Sequence, residues 1–201
     1  MVSDRGPLVA AAVERDEAGA LASLARWTSH LPPFPGGRAD AEGLAVSEGQ
    51  LLISMEHPPH VLRFAGPLAR PDRLLSYFTR ESLGFAVNAG FEALVDLPGS
   101  DWLAVAETRG PDGHHLAYTR GRARLSYRTD AEFAPTGADR AGARLFFVER
   151  QVSLLGGWQG RITCVDVAAV RDGAVLDPVV VAELGFADGI DNMEGIAVRA
   201  D

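Results

Sequence analysis

Three stretches of this chain repeat one short pattern, an acid followed by a small or apolar pair and an apolar run. They are Glu42-Gly43-Leu44-Ala45-Val46, Glu92-Ala93-Leu94-Val95 and Glu194-Gly195-Ile196-Ala197-Val198. After a turn, the first two lead into a second apolar run that itself ends in an acid, Leu51 to Glu56 and Trp102 to Glu107. A third run of that second kind is Arg144 to Glu149, and the same offset counted back from Glu149 lands on Thr136, a copy without its first acid. Starts at Glu42, Glu92, Thr136 and Glu194 give a period of about fifty residues. A unit repeated at that spacing cannot bury both its faces alone and must stack on its neighbours.

Within each copy the runs are short, rich in Leu, Val, Ile and Phe, and bounded by Gly, Pro, Asp or Ser, which predicts strands joined by turns. Val61 to Phe64 and His115 to Thr119 supply third strands. Arg120 to Arg128 alternates, with Gly121, Ala123, Leu125 and Tyr127 on one face and Arg122, Arg124, Ser126 and Arg128 on the other. Arg161 to Val167 and Val179 to Leu184 are further strands, and Pro71 to Phe78 and Val167 to Arg171 are the expected short helices. Repeats of this size with roughly four short strands each predict an all-β fold, a β-propeller, with about four blades' worth present. The chain opens on Ser3-Asp4-Arg5, which aligns with the acid-ended second strand of a blade, and stops just after a first strand. Residues 1–201 therefore read as a single propeller domain cut inside a blade at both ends.

Charge narrows the functional classes. The net charge is −8, which argues against a protein that tracks nucleic-acid phosphates or binds an anionic membrane. Lys is absent, which excludes Schiff-base chemistry, a P-loop lysine and a Ser-Lys dyad. The single Cys164 excludes an intrachain disulfide and Cys-rich metal sites, and mid-strand it reads as a buried inert thiol. The one short apolar run near the start, Leu8 to Val13, is broken by Glu14, so neither a signal peptide nor a membrane span is expected in the chain as given.

In an antiparallel hairpin, a residue just before the first strand lies beside one at the end of the second. Glu42 is thus expected beside Glu56, and Glu92 beside Glu107. Repetition around a propeller axis then brings Asp4, Glu42, Glu56, Glu92, Glu107, Glu149 and Glu194 to one rim, with Asp40, Asp191 and Asn192 next to them. Such convergence is electrostatically costly unless a cation binds or some acids stay protonated. Hard oxygen donors in that number suit Ca²⁺ better than zinc. The competing reading is structural, each acid bonding the backbone of the next blade. Arg5, Arg109 and Arg150 stand beside acids and are either ion-pair partners or phosphate clamps.

Other features carry less. His57-Pro58-Pro59-His60 follows Glu56 as a surface turn or a metal-ligating pair, and His114-His115 flanks a hairpin turn. The Arg face of Arg120 to Arg128 reads as a solvated outer strand rather than an anion site. Ser153 to Trp158 is a Gly-rich loop that packs on a neighbouring blade or covers the rim. No Gly-x-Ser-x-Gly elbow, His-Glu-x-x-His, Gly-x-Gly-x-x-Gly after a strand or Walker motif is present. Hydrolysis would run on carboxylates, Arg and a metal.

Asp40-Ala41-Glu42-Gly43-Leu44-Ala45, Gly90-Phe91-Glu92-Ala93-Leu94, Glu149 to Gly157 and Asp191 to Ala197 together resemble the phytase-like family described by the esterase-like activity of phytase. The likeness runs from Ser3 to Asp201. It implies a bacterial propeller of six blades, exported to the periplasm or secreted, of which this chain is an excerpt. It also implies phosphoric ester hydrolysis of a small molecule at the repeated acids Asp4, Glu42, Glu56, Glu92, Glu107, Glu149, Asp191 and Glu194. Two departures are Thr136 in place of an acid and His57-Pro58-Pro59 in place of a basic stretch. On this reading Glu42, Glu92, Glu194 and Asp191 are the expected catalytic carboxylates, and Arg5, Arg109 and Arg150 the expected substrate clamps. Asp4, Glu56, Glu107 and Glu149 are the expected ligands of a divalent cation, Ca²⁺. The rival expectations are a non-catalytic binding propeller with structural acids and a lactonase-like hydrolase of carboxylic esters.

Overall fold

The structure, a computed structural model, describes residues 8–30, 40–66, 71–77, 79–85, 89–121, 123–130, 132–153, 157–190 and 192–199. Asp4, Arg5 and Asp191, and residues 154–156 of the Gly-rich loop, lie outside these residues.

Among the described residues the fold is all-β, with several antiparallel sheets. A hairpin of β1 (Leu8–Arg15) and β2 (Leu21–His30) comes first. Then come three meanders. The first is β3 (Ala41–Ser47), β4 (Gln50–Met55), β5 (His60–Phe64) and β6 (Pro71–Tyr77). The one-turn helix α1 (Arg80–Leu83) leads to the second, β7 (Phe91–Leu97), β8 (Asp101–Arg109), β9 (His115–Thr119) and β10 (Arg124–Tyr127). The third is β11 (Ala134–Ala141), β12 (Arg144–Ser153), β13 (Gly157–Asp166) and β15 (Val179–Leu184). Between β13 and β15 the two-residue β14 (Val175–Leu176) leaves its own sheet and pairs parallel with β10, tying the third meander to the second.

The core is layered between sheets. Along β8, Trp102, Ala104 and Ala106 pack towards the first meander with Leu52 and Val61, while Leu103 and Val105 pack towards the third with Leu145 and Phe147. Both faces of the middle sheet are covered, which is why its strands read as continuous apolar runs rather than as clean alternation. Leu8 of β1 joins Ile53, Met55 and Phe64 in a third cluster against the first meander.

The repeat is visible as a repeated irregularity. The first strand of each meander departs from regular pairing at the same place, between Ala41 and Leu44, between Phe91 and Ala93, and between Pro135 and Gly137. Those bulges fall on Glu42, Glu92 and Thr136, the starts of three copies. A bulge inserts an extra residue and resets the two-residue phase. Phe91 and Leu94, three apart, consequently share one core, and Ala93, Val95 and Leu97 occupy the other.

One expected helix is corrected. Residues 71–77 form strand β6, paired antiparallel with β5 from His60↔Tyr77 to Phe64↔Pro71. Seven residues make only two helical turns, too few to stand alone, whereas the open edge of β5 satisfies their backbone groups along a ladder. Pro71 fits because it starts an edge strand. The other expected helix exists as a single 3₁₀ turn, Val167–Ala169, capped by Asp166 accepting from the Ala168 N–H at 2.8 Å. Val179 to Leu184 is a strand as expected, and the strand expected over Arg120 to Arg128 is confined to Arg124–Tyr127. No helix of the described residues is long and apolar enough to cross a membrane.

Candidate functional site

The acids at the bulges and strand ends gather at one end of the meanders. The Glu56 N–H donates to the Asp40 carbonyl at 2.9 Å, and the Glu107 N–H to the Gly90 carbonyl at 3.2 Å. These bonds close the mouths of the β3–β4 and β7–β8 hairpins, and the charges of Glu42, Glu107 and Glu56 all reach Glu92. Neighbouring sheets are held close by small residues. A Cβ on Gly43 would stand 2.7 Å from Ser54 Oγ and 3.0 Å from the Glu92 carbonyl, and one on Gly90 would strike Glu56. Ser54 Oγ accepts from the Gly43 N–H at 2.8 Å and donates to the Phe91 carbonyl at 2.7 Å, stitching β4 to β7.

Glu92 is the electrostatic centre of this end. Its pKa is pushed up to about 8, first by burial and then by the charges of Glu42, Glu107 and, more weakly, Glu56, with Arg150 pulling the other way. Its carboxyl is therefore largely protonated at neutral pH, a state suited to giving a proton to a leaving oxygen. Arg150 has its Nη1 3.3 Å from Glu194 Oε1 and its guanidinium over the Trp158 ring at 5.7 Å. Glu194 is exposed and also accepts from the Asn192 side-chain amide.

A second constellation sits at the mouth of the first meander. His57 Nδ1 lies 2.9 Å from Asp40 Oδ2 and 3.4 Å from Glu56 Oε2. One donor atom from each of Asp40, Glu56 and His57 falls within 4.8 Å of the others, the spacing of a metal-holding group. All three remain partly open to solvent, with Glu56 the least exposed at 15%. Two carboxylates and an imidazole fit a divalent cation, and the nitrogen departs from the all-oxygen set that led the sequence to Ca²⁺. The hairpin register carries this signal, because a bond from residue 56 to residue 40 also brings residue 57 to Asp40.

Other expected residues have different surroundings. Glu149 is 0% exposed and its oxygens are engaged: Oε1 accepts from Tyr127 Oη at 2.7 Å and Thr163 Oγ1 at 3.1 Å, and Oε2 from Arg161 Nε at 2.6 Å. Glu149 and Arg161 face each other in the β12–β13 register, so this acid has its cationic partner inside its own sheet. The Tyr127 hydroxyl is held well above its ordinary pKa, first by burial and then by Glu149. Arg109, expected to clamp substrate, instead spends its guanidinium on carbonyls and a hydroxyl, Gly113 at 2.7 Å, Thr129 Oγ1 at 2.8 Å, Asp130 at 3.2 Å and Phe133 at 2.8 Å. It straps the 129–133 connector onto the middle sheet, and Arg161 stacks on Phe133 at 4.2 Å from the other side. His115 is a satisfied core histidine, its Nδ1 3.0 Å from the Ala106 carbonyl, and its pKa is lowered, first by burial and then by Arg109.

Along and just beyond β10, Ser126 Oγ donates to Asp112 at 2.8 Å and Arg128 pairs with Asp177 at 3.0 Å. Cys164 is a free, half-buried thiol within β13. The final segment repeats the packing of a first strand. A Cβ on Gly137 would stand 3.0 Å from the Glu194 carbonyl and 2.9 Å from Gly195 Cα, as one on Gly43 would stand against Glu92. Thr136 Oγ1 donates to the Met193 carbonyl at 2.7 Å, and the Val198 N–H to Asp139 at 2.6 Å.

No curated protein matches the chain in sequence. A family model does, over residues 1–201, and its description is that of an esterase-like activity of phytase. With acids repeated on equivalent bulges and the match running from end to end, the chain belongs to the phytase-like family.

Proposed function

We propose that this protein is a phosphoric ester hydrolase acting on a small molecule at the acid-lined end of its meanders. The observation that carries this reading is Glu92, whose pKa of about 8 leaves it a proton donor in a cluster with Glu42, Glu107 and Glu56 beside Arg150. Family membership supports the hydrolase class. Arg150 grips a phosphoryl oxygen through its planar fork once Glu194 yields it, since guanidinium geometry matches phosphate. Glu92 protonates the leaving oxygen, and Glu42 beside it takes a proton from the attacking water. A divalent cation at Asp40, Glu56 and His57 supplies charge to the phosphoryl oxygen and a more acidic water when bound. The architecture that would hold these groups is a propeller domain spanning residues 1–201. The matching approach of Gly43 to Glu92 and of Gly137 to Glu194 supports residues 192–199 as the inner strand of a further blade.

The test is hydrolysis of p-nitrophenyl phosphate and inositol hexakisphosphate, with p-nitrophenyl acetate and a simple lactone alongside. Phosphate turnover that falls about 10²–10⁴-fold in Glu92→Gln is expected, the size of a general-acid contribution. Turnover of the lactone alone would move the protein to carboxylic esters. A second reading, a partner-binding scaffold with structural acids, draws on Glu149, whose carboxylate is consumed inside the fold. Absence of turnover on every ester, with the fold intact, would favour it.

A further inference from the structure

We infer that Asp40, Glu56 and His57 form a site for a first-row transition dication such as Zn²⁺ or Mn²⁺, and that Ca²⁺ is not its ion. The inference rests on the hydrolase reading only for what the ion does there, and it stands on the donor set. Ligands held about 2.0–2.2 Å from one ion at tetrahedral or octahedral angles lie roughly 2.9–3.5 Å apart. His57 Nδ1 is 2.9 Å from Asp40 Oδ2 and 3.4 Å from Glu56 Oε2. Both distances from the imidazole fall in that range, and the two carboxylates lie within 4.8 Å of one another. An imidazole among three donors selects a borderline cation, whereas Ca²⁺ takes about six to eight oxygens. Three protein donors also leave coordination positions for water or a phosphoryl oxygen, the form of a catalytic rather than a closed structural site.

The backbone fixes this arrangement before any ion arrives. The Glu56 N–H bond to the Asp40 carbonyl holds the two residues side by side across the hairpin mouth. Gly90 lies against Glu56, and its missing Cβ would stand 2.8 Å from Glu56 Cγ. Without an ion, His57 Nδ1 is hydrogen-bonded to Asp40 Oδ2 at 2.9 Å. Coordination through Nδ1 uses the ring nitrogen that faces both carboxylates.

The test is calorimetry on EDTA-stripped protein with ZnCl₂, MnCl₂ and CaCl₂ in turn, with ¹⁵N spectra of the histidine rings. One Zn²⁺ per chain is expected, binding at least tenfold more tightly than Ca²⁺, with the His57 Nδ1 resonance moving on loading. His57→Ala should weaken Zn²⁺ at least tenfold and leave any weak Ca²⁺ binding unchanged. The ring spectrum of the unmutated protein keeps the test independent of whether that variant folds. Ca²⁺ binding as tight as Zn²⁺, or Zn²⁺ binding that leaves Nδ1 unmoved, overturns the inference, as does no Zn²⁺ binding at all. Because binding is read without turnover, Zn²⁺ loading on a protein that hydrolyses nothing sinks the hydrolase reading alone, and phosphate turnover without Zn²⁺ binding sinks this one alone.

Discussion

Glu92 and Glu149 are the same residue type at one end of neighbouring sheets, and their surroundings give them opposite characters. Glu149 meets an arginine across the strand pair and two hydroxyls, and these bonds hold β10, β12 and β13 together. Removing only one member of such a pair leaves a buried charge uncompensated, at a cost of about 3–5 kcal/mol. Glu92 has mainly other acids for company, and the proton stays on it. With the pKa raised from 4.5 to about 8, the folded protein holds a proton that the unfolded chain has already released. Stability from this group is therefore full below about pH 4.5, declines as pH rises towards 8, and is lost above it. Thermal unfolding of Glu92→Gln against the unmutated protein should show matching midpoints near pH 4 and a higher midpoint for the variant at pH 9. The difference between the proteins should change by up to about 1.4 kcal/mol per pH unit inside that window. Equal midpoints at both ends would mean that Glu92 ionises normally.

At the scale of elements, the close approach of sheets depends on positions where no side chain fits. Gly43→Ala would drive a methyl into Ser54, Leu94 and the Glu92 carbonyl, two of them across the sheet interface. Overpacking of this kind costs about 1–3 kcal/mol, and a matching loss is expected for Gly137→Ala, which meets the Glu194 carbonyl. Gly185→Ala, with open space around it, should stay within about 0.5 kcal/mol, and denaturant titration of the three variants reads the difference. Much at this scale was legible from residues alone. Hairpins at Glu42 to Glu56 and Glu92 to Glu107 followed from paired apolar runs around turns. Strand β6 was not legible, because Pro71 to Tyr77 lacks alternation and only the open edge of β5 makes it a strand. Arg161 opposite Glu149 depends on register between strands that sequence periodicity leaves unset, so a buried structural acid and an open one looked alike. His57 was visible beside Glu56, but its approach to Asp40 required the hairpin mouth to be closed.

For the molecule as a whole, protection is graded from the middle sheet outward. β7 and β8 are buried between two cores, whereas β1 and β2 form a two-stranded hairpin with Val13, Leu21 and Leu24 exposed. Local opening follows burial, so amide exchange should be slowest in β8 and orders of magnitude faster in β1 and β2. Uniform exchange across all sheets would mean that the protein opens as one unit. Exposure of Val179, Val180 and Val181 on edge strand β15 places that strand among the faster ones too. The bulge that opens each meander bears on how such a protein can change over generations. Its extra residue lies outside the pleat, and the core beneath is built from the residues on either side. Thr136 occupies the same bulge as Glu42 and Glu92, and the strand around it keeps its register from Gly137 onward. Each repeat thus offers a socket whose occupant can be exchanged with little disturbance to the sheet, and chemistry can be gained or lost one repeat at a time while the architecture persists.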